Sequence, residues 1–106
     1  QIMEAYGQAI HRLALNIGQK TAESLGLVVA NYFEDWLCEF KFNKYNFTPE
    51  TIGSTGVPIH TDSGFLTILK DDENVGGLEV MNGSGSFLPI PPFPGTFLVN
   101  LGDIAR

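Results

Sequence analysis

Val57-Pro58-Ile59-His60-Thr61-Asp62-Ser63-Gly64-Phe65-Leu66-Thr67-Ile68-Leu69 is the stretch on which the reading of this chain turns. Residues 57–61 and 65–70 each read as a short strand, rich in β-branched and aromatic residues, with Ser63-Gly64 as punctuation. In a strand, side chains two apart share a face about 6 to 7 Å apart, so the His60 imidazole and the Asp62 carboxylate can converge on one ion. A neutral imidazole nitrogen with a carboxylate oxygen, leaving several positions open, begins the facial triad of non-haem Fe(II) sites. The third ligand of such a triad is another His, and none follows Asp62. Taken alone, His-x-Asp is more often a solvent-facing pair, or two side chains bonded to each other.

Further strands are expected at 78–82, 86–90 and 96–101, separated by turn chemistry in Asp71-Asp72-Glu73-Asn74, Gly83-Ser84-Gly85 and Pro91-Pro92-Phe93-Pro94-Gly95. Many short strands with Gly/Pro turns imply a sandwich or barrel. Upstream, Phe40-Lys41-Phe42-Asn43-Lys44-Tyr45-Asn46-Phe47 alternates as a strand, with Phe40 and Phe42 on one face and Lys41, Asn43 and Tyr45 on the other. From alternation alone, that second face is a polar surface in water. Loop signals at Thr48-Pro49-Glu50 and Gly53-Ser54-Thr55-Gly56 follow it.

The N-terminal part has a different period. Ile2, Tyr6, Ala9, Ile10, Leu13 and Ile17 recur at three- and four-residue steps, which predicts a helix to about Leu25 with Gly26 placed to end it. Asn31 is placed to cap a short second helix through Tyr32, Phe33, Trp36 and Leu37, whose aromatics would pack on the first. Cys38 reads as a small packed hydrophobe. The chain begins at Gln1 inside the helical pattern and stops at Arg106 after a strand-like run, which reads as an excerpt from a longer protein.

Composition narrows the function classes. With 43% hydrophobic and 17% charged residues, the chain has the make-up of one globular domain rather than a disordered segment. Twelve acidic against six basic residues give a net charge of -6, and no basic cluster offers a footprint for nucleic acid. No stretch approaches the ~20 apolar residues that span a membrane, so no membrane partner is expected. A single cysteine allows no intramolecular disulfide and no thiolate zinc site, consistent with a cytoplasmic location. The Asp71-Asp72-Glu73 run lacks calcium-loop spacing, and Gly76-Gly77 is too short for a phosphate loop. A zinc hydrolase would need three protein ligands and a general base, which are not in evidence. His11, the one other histidine, lies off the main apolar stripe and reads as exposed or partly packed rather than as a substitute third ligand.

Joined in order, Lys41-x-Asn43-x-Tyr45, His60-Thr61-Asp62, Gly76-Gly77-Leu78 and Pro94-Gly95-Thr96-Phe97-Leu98-Val99-Asn100-Leu101-Gly102-Asp103 resemble the plant 2-oxoglutarate and Fe(II)-dependent dioxygenases. The likeness spans residues 39 to 103 closely and the helical part loosely. Phe40-Lys41-Phe42-Asn43-Lys44-Tyr45, Gly64-Phe65-Leu66-Thr67-Ile68-Leu69, Gly76-Gly77-Leu78-Glu79 and Gly85-Ser86-Phe87-Leu88-Pro89-Ile90 look most like the auxin-oxidising members.

The resemblance implies a mainly β fold with N-terminal helices: a double-stranded β-helix (jelly-roll) core, incomplete at its C-terminal end. Residues 1–38 would be a helical segment packing on the core and 39–106 the first part of the jelly-roll domain. It makes His60 and Asp62 iron ligands, and Asn43 and Tyr45 hydrogen-bond donors to 2-oxoglutarate, with no catalytic residue beyond the metal ligands. Amide and phenol donors can hold carboxylate oxygens without competing for the metal. Fe(II) is the implied cofactor and 2-oxoglutarate the cosubstrate, with ascorbate a candidate addition. The implied partners are O₂ and a small organic substrate, with indole-3-acetic acid, converted to its 2-oxindole, the leading choice. The distal His and an Arg-x-Ser motif that anchors the far carboxylate of 2-oxoglutarate would lie beyond Arg106. The competing expectation is a non-catalytic jelly-roll fragment or pseudo-enzyme lacking the third ligand. Oligomeric state is not legible.

Overall fold

Helix α1 spans Ile2–Ser24, ending within one residue of the predicted boundary. Gly26 ends it by taking a left-handed conformation, φ 86°, which only glycine adopts without strain. The Gly26 and Leu27 amides then donate back to the Glu23 and Ala22 carbonyls, both at 3.0 Å, satisfying acceptors left over by the last turn. Ile10, Leu13 and Ile17 are half-buried as the stripe predicts, whereas Ile2, Tyr6 and Ala9 are exposed. The fully buried positions are instead the small ones, Gly18 and Ala22. The Phe33 ring explains this, because a Cβ on Gly18 would lie 2.9 Å from its Cδ2 atom.

The computed structural model describes residues 1–27, 33 and 35–105, in two compact units, Gln1–Ser63 and Gly64–Arg106. Asn31 and Tyr32, placed in the expected second helix, lie outside the described residues. Phe33 and Trp36 stack edge to face, centroids 4.7 Å apart, and the Trp36 amide donates to the Phe33 carbonyl in a single turn. Cys38 is exposed, which corrects the expectation of a packed side chain, and Leu37 beside it is exposed as well.

Residues 36–47 form no strand. The pleat is nonetheless visible: Phe40 and Phe42 meet ring to ring at 4.9 Å, and Lys41 and Glu39 pair at 3.1 Å, each contact spanning two residues. Tyr6 on α1 meets Phe40 at 5.9 Å. Alternation is present here without the ladder partner that makes a strand. The two loop signals are borne out as turns, with the Thr51 amide on the Thr48 carbonyl and the Ser54 amide on the Thr51 carbonyl, each at 3.0 Å. Residues 57–61 also form no strand, the backbone bending at Val57 and Ile59 on either side of Pro58.

The second unit holds the four strands that do form: β1 (Leu66–Leu69), β2 (Glu79–Met81), β3 (Phe87–Pro89) and β4 (Leu98–Leu101), followed by a 3-10 turn at Asp103–Ala105. They make two antiparallel pairs, β2 with β3 and β1 with β4, so one hairpin is nested inside the other in sequence. The inner hairpin turns at Asn82, whose side-chain Oδ1 accepts from the Ser84 amide, the Ser84 hydroxyl and the Ser86 amide at 2.7 to 3.0 Å. Gly85, φ 84°, completes that turn. In the outer pair Leu66 faces Leu101, Thr67 faces Asn100 and Ile68 faces Val99. Beyond the pair, the Gly102 amide donates to the Phe65 carbonyl at 2.7 Å and the Ile104 amide to the Gly64 carbonyl at 3.1 Å.

A carboxylate fastens the loops at one end of the two hairpins. Glu73 Oε1 takes the Lys70 ammonium at 2.6 Å and the Gly95 amide at 2.9 Å. The Lys70 hydrogen bond, then the Gly95 amide, then the Lys70 charge hold the Glu73 carboxyl below the ordinary carboxylate range. Among the described residues the structure therefore has one long helix and small antiparallel sheets, with four of the six expected strands formed.

Candidate metal centre

The residues that bear ligand chemistry lie in the first unit, between the turns at 48–54 and Ser63. Pro58 has no amide hydrogen and a ring-locked φ, so this segment cannot make a regular ladder there. Its carbonyl is instead used locally: His60 Nδ1 donates to the Pro58 carbonyl oxygen at 3.0 Å. The opposite ring nitrogen, Nε2, lies 3.4 Å from Asp62 Oδ1. His60 and Asp62 thus converge as the spacing predicts, although the strand invoked to bring them together does not form. The His60 side chain is 61% exposed and that of Asp62 30%, so neither is sealed in a core.

The donor set fits a divalent first-row metal. Two ligands at right angles, each with a metal bond of about 2.1 Å, have donor atoms roughly 3 Å apart. A separation of 3.4 Å is close enough for a small closing movement to achieve this. Two donors alone leave most of the coordination sphere to other groups. No cluster of three or more His, Cys, Asp or Glu exists among the described residues. His11 is half-buried on α1 and joins no such cluster, in line with the expectation of a partly packed side chain.

Asn43 and Tyr45 are both exposed, Tyr45 at 70%. They belong to the same unit as His60 and Asp62. No hydrogen bond joins either of them to His60 or Asp62 among the described residues, so the structure brings His60 and Asp62 together but not the four-residue set. The Pro58 carbonyl is the participant that sequence reasoning missed. Its signal was a proline two residues before the histidine. A hollow of about 150 Å³ in the second unit, lined by Leu69, Asp71, Ile90, Phe93 and Phe97 among others, contains none of these residues. No described helix is long and apolar enough to cross a membrane.

Comparison with known proteins bears on what this pair does. The description of the 2OG-Fe(II) oxygenase superfamily matches residues 25–106. The chain is 49% identical over 107 residues to the 2-oxoglutarate-dependent dioxygenase DAO of Oryza sativa subsp. indica, covering 100% of this chain and 35% of that protein. It is 35% identical over 105 residues to the oxoglutarate-dependent flavonoid 7-O-demethylase 1 of Ocimum basilicum, covering 96% and 28%. Among solved structures, the rice dioxygenase for auxin oxidation superposes with a TM-score of 0.91 at 48% identity, over 97% of this chain and 35% of that one. The Arabidopsis thaliana dioxygenase for auxin oxidation 1, in its 2-oxoglutarate binary complex, does so with a TM-score of 0.86 at 50% identity, over 98% and 40%. The chain spans about a third of the length of these curated relatives.

Proposed function

This chain belongs to the 2OG-Fe(II) oxygenase superfamily, and on that premise we propose that it is the part of a 2-oxoglutarate-dependent dioxygenase that carries two of the three iron ligands, His60 and Asp62. The observation that carries this reading is the convergence of His60 Nε2 and Asp62 Oδ1 at 3.4 Å. The third ligand is supplied by sequence outside these 106 residues. Residues 39–106 form the first part of a double-stranded β-helix (jelly-roll) domain, and 1–38 pack on it as a helical segment.

Within that domain, Asn43 and Tyr45 offer an amide and a hydroxyl to the carboxylate oxygens of 2-oxoglutarate. Fe(II) held there would supply open positions for 2-oxoglutarate and O₂; O₂ would be the oxidant, one of its oxygen atoms ending in succinate, formed with loss of CO₂, and the other in the substrate. The residues of this chain hold and orient: His60 and Asp62 would hold the ion, while the polar pair would orient the cosubstrate. Indole-3-acetic acid is the proposed substrate, supported by the relatives named for auxin oxidation. The cytoplasm is the proposed compartment, ascorbate a candidate addition to the reaction.

Anaerobic titration of the intact protein with Fe(II), followed by calorimetry, tests the assignment. Binding is expected in the parent and not in His60→Ala or Asp62→Ala. Equal affinity in parent and variants would overturn it. The count of only two converging donors among the described residues supports a second reading, a non-catalytic fragment or pseudo-enzyme. Succinate formation from 2-oxoglutarate by the intact protein separates the two, since the second reading gives none.

A further inference from the structure

We infer that Pro58 is a positioning residue for the iron site, its backbone carbonyl holding His60 as the Nδ1–H tautomer so that Nε2 is left bare and turned toward the ion. The inference rests on the iron reading above and adds what selects the ligating nitrogen. A carbonyl oxygen only accepts, so the 3.0 Å contact requires the proton on Nδ1. In a neutral imidazole the other nitrogen then carries a lone pair. That lone pair lies 3.4 Å from a carboxylate oxygen of Asp62. Two electron-rich atoms aimed at one region are compatible when a cation lies between them.

Packing does not hold this ring, since the side chain is 61% exposed. The Pro58 contact is what orients it. No backbone amide competes for the Pro58 carbonyl among the described residues. The pyrrolidine ring stiffens the backbone that presents the oxygen, by locking φ and restricting the residue before it. Donation of the second ring nitrogen to a backbone carbonyl is a general way in which proteins set the tautomer and orientation of a metal-binding histidine. Here the acceptor is built two residues upstream in the same segment.

The test is nuclear magnetic resonance of intact, metal-free protein labelled with ¹⁵N-histidine, at a pH where the imidazole is neutral. The His60 signals are identified by their loss in His60→Ala. The expected result is the Nδ1–H pattern, in roughly five-fold excess over the alternative tautomer, as one ordinary hydrogen bond would produce. In Pro58→Gly, which keeps the carbonyl but frees the backbone, the excess is expected to fall and Fe(II) affinity to weaken about tenfold. A predominant Nε2–H form in the parent overturns the proposal without recourse to any variant. An Nδ1–H excess that persists undiminished in Pro58→Gly, with circular dichroism unchanged, overturns the role of the proline. Added Zn(II) separates this from failure of the iron reading. An Nδ1–H parent whose His60 signals ignore the metal retains the hydrogen bond and loses the site it would serve.

Discussion

At the scale of the residue, Glu73 joins two loops through one oxygen, and its protonation should be readable in stability. Its folded pKa is depressed by Lys70 and the Gly95 amide. The stabilisation is therefore fully present above the unfolded carboxylate value and lost as pH falls through the folded one. Glu73→Gln is expected to lower the urea midpoint of the intact protein at about pH 7, and the difference from the parent should shrink as pH falls through the depressed folded value. A difference that persists at the acid end would mean that Glu73 acts through packing rather than charge. Tyr45 carries a second prediction. If its hydroxyl donates to a 2-oxoglutarate carboxylate, Tyr45→Phe loses ~1.5 to 3 kcal/mol of binding, and the KM for 2-oxoglutarate rises roughly tenfold to a hundredfold in the intact enzyme. An unchanged KM would place that hydroxyl away from the cosubstrate.

At the scale of the element, helix α1 offers two glycines with opposite expectations. A Cβ at Gly7 meets nothing within 4 Å, so Gly7→Ala should stabilise by about 1 kcal/mol through helix propensity. At Gly18 the same gain is set against a 2.9 Å approach to the Phe33 ring, and overpacking costs ~1 to 3 kcal/mol. Gly18→Ala should therefore leave the protein less stable by about 1 kcal/mol, and thermal midpoints of the two variants in the intact protein should move in opposite directions. The helix and its stop at Gly26 were legible in the sequence because both are local: a 3.6-residue period and a residue free to take positive φ. The four strands of the second unit were legible because turn residues bracket each one. Residues 40–47 misled because alternation reports a pleat whereas a strand also requires a partner that alternation does not name, and 57–61 misled because Pro58 interrupts the ladder. The His60–Asp62 convergence was legible from spacing, and its dependence on the Pro58 carbonyl was not, since that rests on a side-chain rotamer. The buried line of α1 was also missed, because Gly18 and Ala22 are too small to register as an apolar stripe.

At the scale of the whole molecule, apolar surface is plentiful and poorly covered. Among the described residues Ala22 and Phe33 are the buried hydrophobic ones, whereas Phe40, Phe42, Phe47, Ile59, Phe93 and Leu101 are among the large ones left exposed. In β4 the order is inverted, with Val99 and Leu101 outward and Asn100 half-buried. Large apolar side chains left in water in such number within each unit mark surface meant to be covered. Expressed by themselves, the 106 residues are expected to bind an apolar fluorescent dye and unfold without a sharp transition. Extension with the sequence that the longer relatives carry should suppress the dye signal and restore cooperativity. A sharp, dye-silent transition from the 106 residues would contradict this. The nesting of one hairpin within the other has a kinetic consequence. The inner pair can close across the short Asn82 turn, on the microsecond scale of hairpins. Once closed, it shortens the span that must be searched before Leu69 finds Leu98. Loop closure costs only ~0.6 kcal/mol per doubling of length, so the saving is small in energy, yet it assigns a sequence of events: the tip of the second unit zips first, and the rungs next to Gly64 close last.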